Sequence, residues 1–113
     1  MNRDYYNEFV ALSLQQCTGR DYADQRKIKV HNAASKKLES LQAKLKGDDS
    51  TEMLNLLLCH EDDRVKINAA AQCLRINALV DRAIFTLENL VVSSDDPTMR
   101  FTAKMILQKF SIV

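Results

Sequence analysis

Val65-Lys66 and Ala69 recur as Met99-Arg100 and Ala103 at an offset of 34 residues, and Cys73 falls over Leu107 in the same register. An acidic turn precedes each copy, Glu61-Asp62-Asp63 before the first and Asp95-Asp96 before the second. Upstream, Asn32-Ala33-Ala34 echoes Asn68-Ala69-Ala70 at an offset of 36, and Val30, Ala34 and Leu38 keep the same four-residue rhythm. A small residue in mid-helix lets a paired helix approach closely, while large residues a turn to either side fill the groove. A period of this length that encodes one helical hairpin per copy is the mark of a stacked α-solenoid, and three hairpins are about the minimum that can bury a continuous core.

The punctuation of the chain agrees with six helices. The first spans about 3–17, with Tyr5, Phe9, Leu12 and Val10 along its stripe, and Gly19 suits the left-handed turn that follows. The second runs from about Tyr22 to Lys46 with Val30, Ala34, Leu38, Leu41 and Leu45 at helical spacing, and Gly47 stops it. Asp49-Ser50-Thr51-Glu52 then has the form of a capping box, opening a third helix with Met53, Leu54, Leu57 and Leu58. Glu61-Asp62-Asp63 caps a fourth helix carrying Val65, Ala69, Cys73 and Leu74; Asn77 is expected to cap a fifth with Leu79, Ala83, Leu87, Leu90 and Val91. The clearest start is Asp95-Asp96-Pro97, a carboxylate cap followed by proline at the first helical position. It opens a sixth helix with Met99, Ala103, Ile106, Leu107 and Phe110. Short turns make sequential helices antiparallel. The expected fold is all-α: one domain over 1–113, a short right-handed solenoid of three antiparallel hairpins at about 3–46, 50–76 and 78–111.

Composition removes several alternatives. Two glycines and one proline are too few for the turns of a sandwich or barrel. The longest unbroken apolar run is four residues, as at Leu56–Cys59, against the roughly 20 that a bilayer span requires. Charges in Met1–Glu8 occupy the place of a signal peptide's apolar core, so a cytoplasmic location is expected. The three cysteines, Cys17, Cys59 and Cys73, show no C-x-x-C spacing and suit a reducing compartment; Cys59 and Cys73 are both expected to be packed thiols. His31 and His60 have no second ligand at metal spacing, so neither a metal nor a cofactor is expected. No nucleophile elbow, zinc-hydrolase helix or phosphate-cradling glycine loop is present, and the chain is expected to be no enzyme.

The segment Leu54-x-x-Leu57-Leu58, then Asp62 or Asp63, Val65-Lys66 and Ala69-Ala70, resembles the HEAT repeat pattern of Leu-Leu, Asp, Val-Arg and Ala-Ala. A weaker copy follows in Leu87, Leu90, Asp95, Asp96, Met99-Arg100 and Ala103, where Pro97 and Met99 depart from the usual residues. The likeness covers about 60 residues, and the layout is also similar to a family of small bacterial proteins of unassigned function that includes immunity-type proteins. The resemblance implies a HEAT-like hairpin stack that binds another protein, most concretely a cognate bacterial toxin domain. A fold by itself gives no function.

Charge gives that expectation a surface. Seven of the 15 acids stand in turns within hairpins: Asp21, Asp24, Glu61, Asp62, Asp63, Asp95 and Asp96. One acid per turn is explained by helix capping and the helix dipole. Three in Glu61-Asp62-Asp63 exceed that need, and such an acidic edge would suit the basic site of a nuclease toxin. Tyr6, off the main stripe of the first helix, joins these residues as an interface candidate, whereas Phe9 is expected in the core. The even-numbered helices hold 13 of the 16 cations, so the alternative is nucleic-acid binding through Lys36, Lys37, Arg64, Lys66, Arg100 and Lys104. Some HEAT-like DNA-repair glycosylases use such a concave basic surface, but aromatic residues for base stacking are not interleaved around Lys36-Lys37. A scaffold subunit of a housekeeping complex is the third reading. Weak homodimerisation through the first helix or the Ile112-Val113 end would cover the apolar face that the end of a solenoid leaves.

Overall fold

The computed structural model describes residues 3–16, 25–44 and 48–110, and these hold six α-helices and no strand. The helices are α1 (Arg3–Gln16), α2 (Gln25–Lys44), α3 (Asp48–Leu58), α4 (Asp63–Ile76), α5 (Val80–Ser93) and α6 (Pro97–Lys109). The chain divides into two units, Met1–Ser50 and Thr51–Val113. Gly19, Gly47, Leu45, Cys17 and the Ile112-Val113 end lie outside the described residues, as does the side chain of Val30.

In the first unit α1 packs on α2. Phe9, Leu12, Ala34, Leu38 and Leu41 are buried, following the three- and four-residue spacing of both stripes. Two polar side chains, Ser13 and Gln42, are buried with them, and both are engaged in polar interactions.

In the second unit α4 packs on both α5 and α6, and α5 packs on α6. On α4 the burial departs from a single stripe. Val65, Ala69 and Cys73 are buried as their spacing predicts, but Ile67, Ala70, Ala71 and Gln72 are buried too. A helix covered on several sides needs small residues around its girth, and the Ala69-Ala70-Ala71 run supplies them. Ala69, Ala83 and Ala103, on α4, α5 and α6, are all fully buried. Met53, Leu54, Leu57 and Leu58 of α3, Leu87 and Leu90 of α5, and Met99 and Leu107 of α6 complete the buried apolar residues among those described.

Two helix ends differ from the sequence reading. α3 begins at Asp48, which puts Asp49 and Ser50 inside the helix instead of at its cap. Asn77, expected to open α5, instead closes α4. It adopts the left-handed conformation (φ 57°), its N–H meets the Leu74 carbonyl at 3.4 Å, and the Ala78 N–H donates to the Cys73 carbonyl at 2.9 Å. This is the Schellman arrangement, in which asparagine substitutes for glycine because its short side chain tolerates positive φ. Leu79, which then precedes α5, is also left-handed (φ 52°) and makes no side-chain capping bond. Asn77→Ala is expected to lower stability by about 1 kcal/mol, and Asn77→Gly to leave it within about 0.5 kcal/mol. Urea unfolding of the two variants checks this; equal losses in both would mean that the Asn77 side chain, and not its backbone angle, matters.

Candidate functional site

The acidic turns owe their shape to backbone demands. After α3, the Cys59 and His60 N–H groups close onto the carbonyls of Leu56 and Leu57, each at 3.1 Å. The Asp62 N–H donates to His60 Nδ1 at 3.0 Å. The Asp62 carboxylate Oδ1 then accepts from the N–H groups of Arg64 and Val65 at 2.9 and 3.2 Å, satisfying donors that the first turn of α4 cannot pair internally. Asp96 repeats the device before α6, accepting from the Thr98 N–H at 2.9 Å, with Pro97 next to it as the sequence predicts.

Asp63 does something else. Its Oδ2 accepts a hydrogen bond from Ser94 Oγ at 2.6 Å, although the two residues are 31 apart in sequence. Ser94 is buried, and it serves both turns. Its N–H ends α5 on the Leu90 carbonyl at 3.2 Å. Its Oγ also accepts from the Asp96 N–H at 3.3 Å, and its carbonyl accepts from Arg100 Nη1 at 2.6 Å. The turns carrying Glu61-Asp62-Asp63 and Asp95-Asp96 are therefore joined side to side through one serine.

This geometry sorts the candidate acids. Asp62 and Asp96 are caps, Asp63 is held by Ser94 and lies 4.0 Å from Lys66 Nζ, and Glu61 and Asp95 are exposed. The three-acid turn thus contains one capping carboxylate, one bridging carboxylate and one that faces solvent. Asp21 and Asp24 lie outside the described residues. Tyr6 is half-buried on α1, and Phe9 beside it is fully buried. Among the described residues no three His, Cys, Asp or Glu side chains are grouped so as to hold a metal ion.

The candidate cations differ in exposure and in their neighbours. Lys36 and Lys37 are exposed on α2 in the first unit. Arg64 is half-buried, and its Nε has no hydrogen-bond partner among the described residues. Lys66 lines a groove with Arg82 and Phe85, whereas Arg100 and Lys104 line another with Phe101. Arg100 also spends one guanidinium nitrogen on the Ser94 carbonyl.

Large apolar side chains in water are the feature that the stripes concealed. Phe85 is 71% exposed, Phe101 55% and Met105 51%, with Val92 and Leu56 also exposed. Each stands off the apolar stripe that its helix buries. Phe85 lines a groove of about 350 Å³ together with Leu58, Cys59, Lys66, Arg82 and Leu90. In it, Arg82 Nη2 lies 3.8 Å from the Cys59 sulfur.

Cys59 is exposed, contrary to the expectation of a packed thiol, because α3 ends at Leu58 and the next residue turns outward. Cys73 is buried, and burial pushes its thiol up to about 11 from 9.0, an effect partly offset by a backbone hydrogen bond. At pH 8 a thiol reagent is expected to modify Cys59 quickly and Cys73 only after unfolding. The same upward shift means that the Cys73 contribution to stability is complete below the unfolded thiol's pKa and is lost as pH rises through about 11. Peptide mapping after timed labelling checks the order, and equal labelling of both thiols in the folded protein would contradict it.

No helix among the described residues is long and apolar enough to cross a membrane. Comparison with protein-family models, with curated proteins and with solved structures finds no match.

Proposed function

We propose that this chain is a non-catalytic protein-binding module, a short right-handed stack of three antiparallel HEAT-like hairpins that neutralises a cognate bacterial toxin domain in the cytoplasm. The observation that carries this reading is the Asp63–Ser94 hydrogen bond of 2.6 Å, which holds two acidic turns together. The contact of α4 with both α5 and α6 supports the stacked arrangement. Fixed carboxylates on a rigid edge steer a basic partner and select its orientation, and a nuclease toxin must have a basic site to hold phosphates. Glu61 and Asp95, exposed and not used as caps, make the direct contacts; Asp62, Asp63 and Asp96 add to the field while keeping their structural bonds.

Because Glu61 and Asp95 are exposed, Glu61→Lys with Asp95→Lys is expected to leave folding intact. Affinity capture from the native host with the tagged wild-type protein is expected to recover a toxin-bearing protein, and the double variant to associate with it at least about tenfold more slowly at low salt. An unchanged association rate would remove the acidic edge from the mechanism. Recovery of nucleic acid or of a stable housekeeping complex in place of a toxin would overturn the reading as a whole.

A further inference from the structure

The outer face of α6 is chemically unlike the acidic edge. Between Pro97 and Lys109 the helix carries Arg100, Lys104 and Lys109 and no carboxylate. Met99, Ala103 and Leu107 are buried on its inner face. Helical spacing places Phe101, Met105 and Gln108 on one outward stripe, with Lys104 on one flank and Lys109 on the other. Phe101, Met105 and Gln108, together with Lys104, Arg100 and Val91 of α5, line an open groove of about 500 Å³. A second groove of about 460 Å³ runs along the other side of Met105 and reaches Lys109. The stripe is thus an apolar ridge between two furrows, each rimmed by a lysine.

We propose that this α5–α6 face docks an acidic amphipathic helix of a partner protein. The partner's apolar residues, spaced by one helical turn, seat against Phe101 and Met105, and its Asp or Glu side chains face Lys104 and Lys109. Charge selects this occupant over the others. A second copy in a symmetric contact would set Lys104 and Lys109 against their own counterparts. A nucleic acid would find two lysines and an arginine already bonded to the Ser94 carbonyl, too few phosphate contacts for tight binding. A lipid surface takes up the whole apolar face of an amphipathic helix, and here the larger apolar face of α6 is in the core. The inference goes beyond the acidic-edge reading and does not depend on it, because the groove uses cations and apolar side chains that the edge lacks.

The test is selection from a displayed library of random helical peptides on the whole protein, repeated on Phe101→Ser and Lys104→Glu. Both side chains are exposed, so both variants are expected to fold, with circular dichroism as the check. The expected result is enrichment of peptides with large apolar residues one turn apart flanked by Asp or Glu. Their affinity should fall at least about tenfold on either variant. On the wild-type protein they should shift the Met105 methyl resonance. No enrichment, a neutral or basic consensus, or equal affinity for the variants would overturn the proposal. So would a Met105 shift produced by phosphatidylglycerol vesicles or duplex DNA and not by the acidic peptides.

Discussion

Leu87→Ala is expected to destabilise the protein by about 3 kcal/mol, while Phe85→Ala, two residues earlier on the same helix, changes stability by less than about 0.5 kcal/mol. Leu87 is fully buried on α5, the helix that packs on both α4 and α6. Truncation there removes transfer free energy and leaves a cavity that the neighbouring fixed backbones cannot fill. Phe85 is larger but 71% exposed, so little of it leaves water on folding. Urea denaturation followed by circular dichroism separates the two, with the slope of the transition showing whether both variants unfold from the same native state. The contrast bears on function as well as packing. A phenylalanine that the fold does not need, placed beside Arg82 in a groove, is the type of residue that anchors a partner. If Phe85→Ala instead cost as much as Leu87→Ala, its ring would be part of the core and the exposed-anchor argument would fail.

Periodicity was informative where burial keeps to one stripe. Met53, Leu54, Leu57 and Leu58 in α3, and Met99, Ala103 and Leu107 in α6, are buried where the three- and four-residue spacing puts them. The Asp96-Pro97 start was legible because a carboxylate cap and a proline at the next position are local chemistry. The same logic misassigned Asn77, since an asparagine between two helices can cap either, and only the backbone angle decides. The burial of Ile67, Ala70 and Ala71 was not legible, because these residues lie off the Val65-Ala69-Cys73 stripe and only tertiary packing covers them. Ser94 was hidden for a related reason. In sequence it is one of two serines before a helix, and its bond to Asp63 joins residues that only tertiary structure brings together. Likewise, the acids were read as a charge surplus, yet hydrogen bonding divides them into caps, a bridge and the exposed pair Glu61 and Asp95.

That bridge sets the second large effect: Ser94→Ala is expected to destabilise the protein by about 2 kcal/mol, more than an ordinary neutral hydrogen bond contributes. Ser94 Oγ is both donor to the Asp63 carboxylate and acceptor from the Asp96 N–H, so one truncation breaks two contacts at a buried position. Asp63 keeps Lys66 Nζ 4.0 Å from its other oxygen, Oδ1, but a partly exposed ion pair at that distance compensates little. A double-mutant cycle with Asp63→Ala isolates the bridge, because both single variants lose the same bond. A coupling of about 1–2 kcal/mol is expected between them. Additive losses would mean that the two turns are held together by helix packing alone. The cycle also connects stability to the proposed activity. If the acidic edge acts as a rigid unit, Ser94→Ala lowers affinity for the captured partner without changing any surface charge, whereas Glu61→Lys lowers it without changing stability. Loss of affinity in the second variant but not the first would assign the edge a purely electrostatic role, with its rigidity irrelevant to binding.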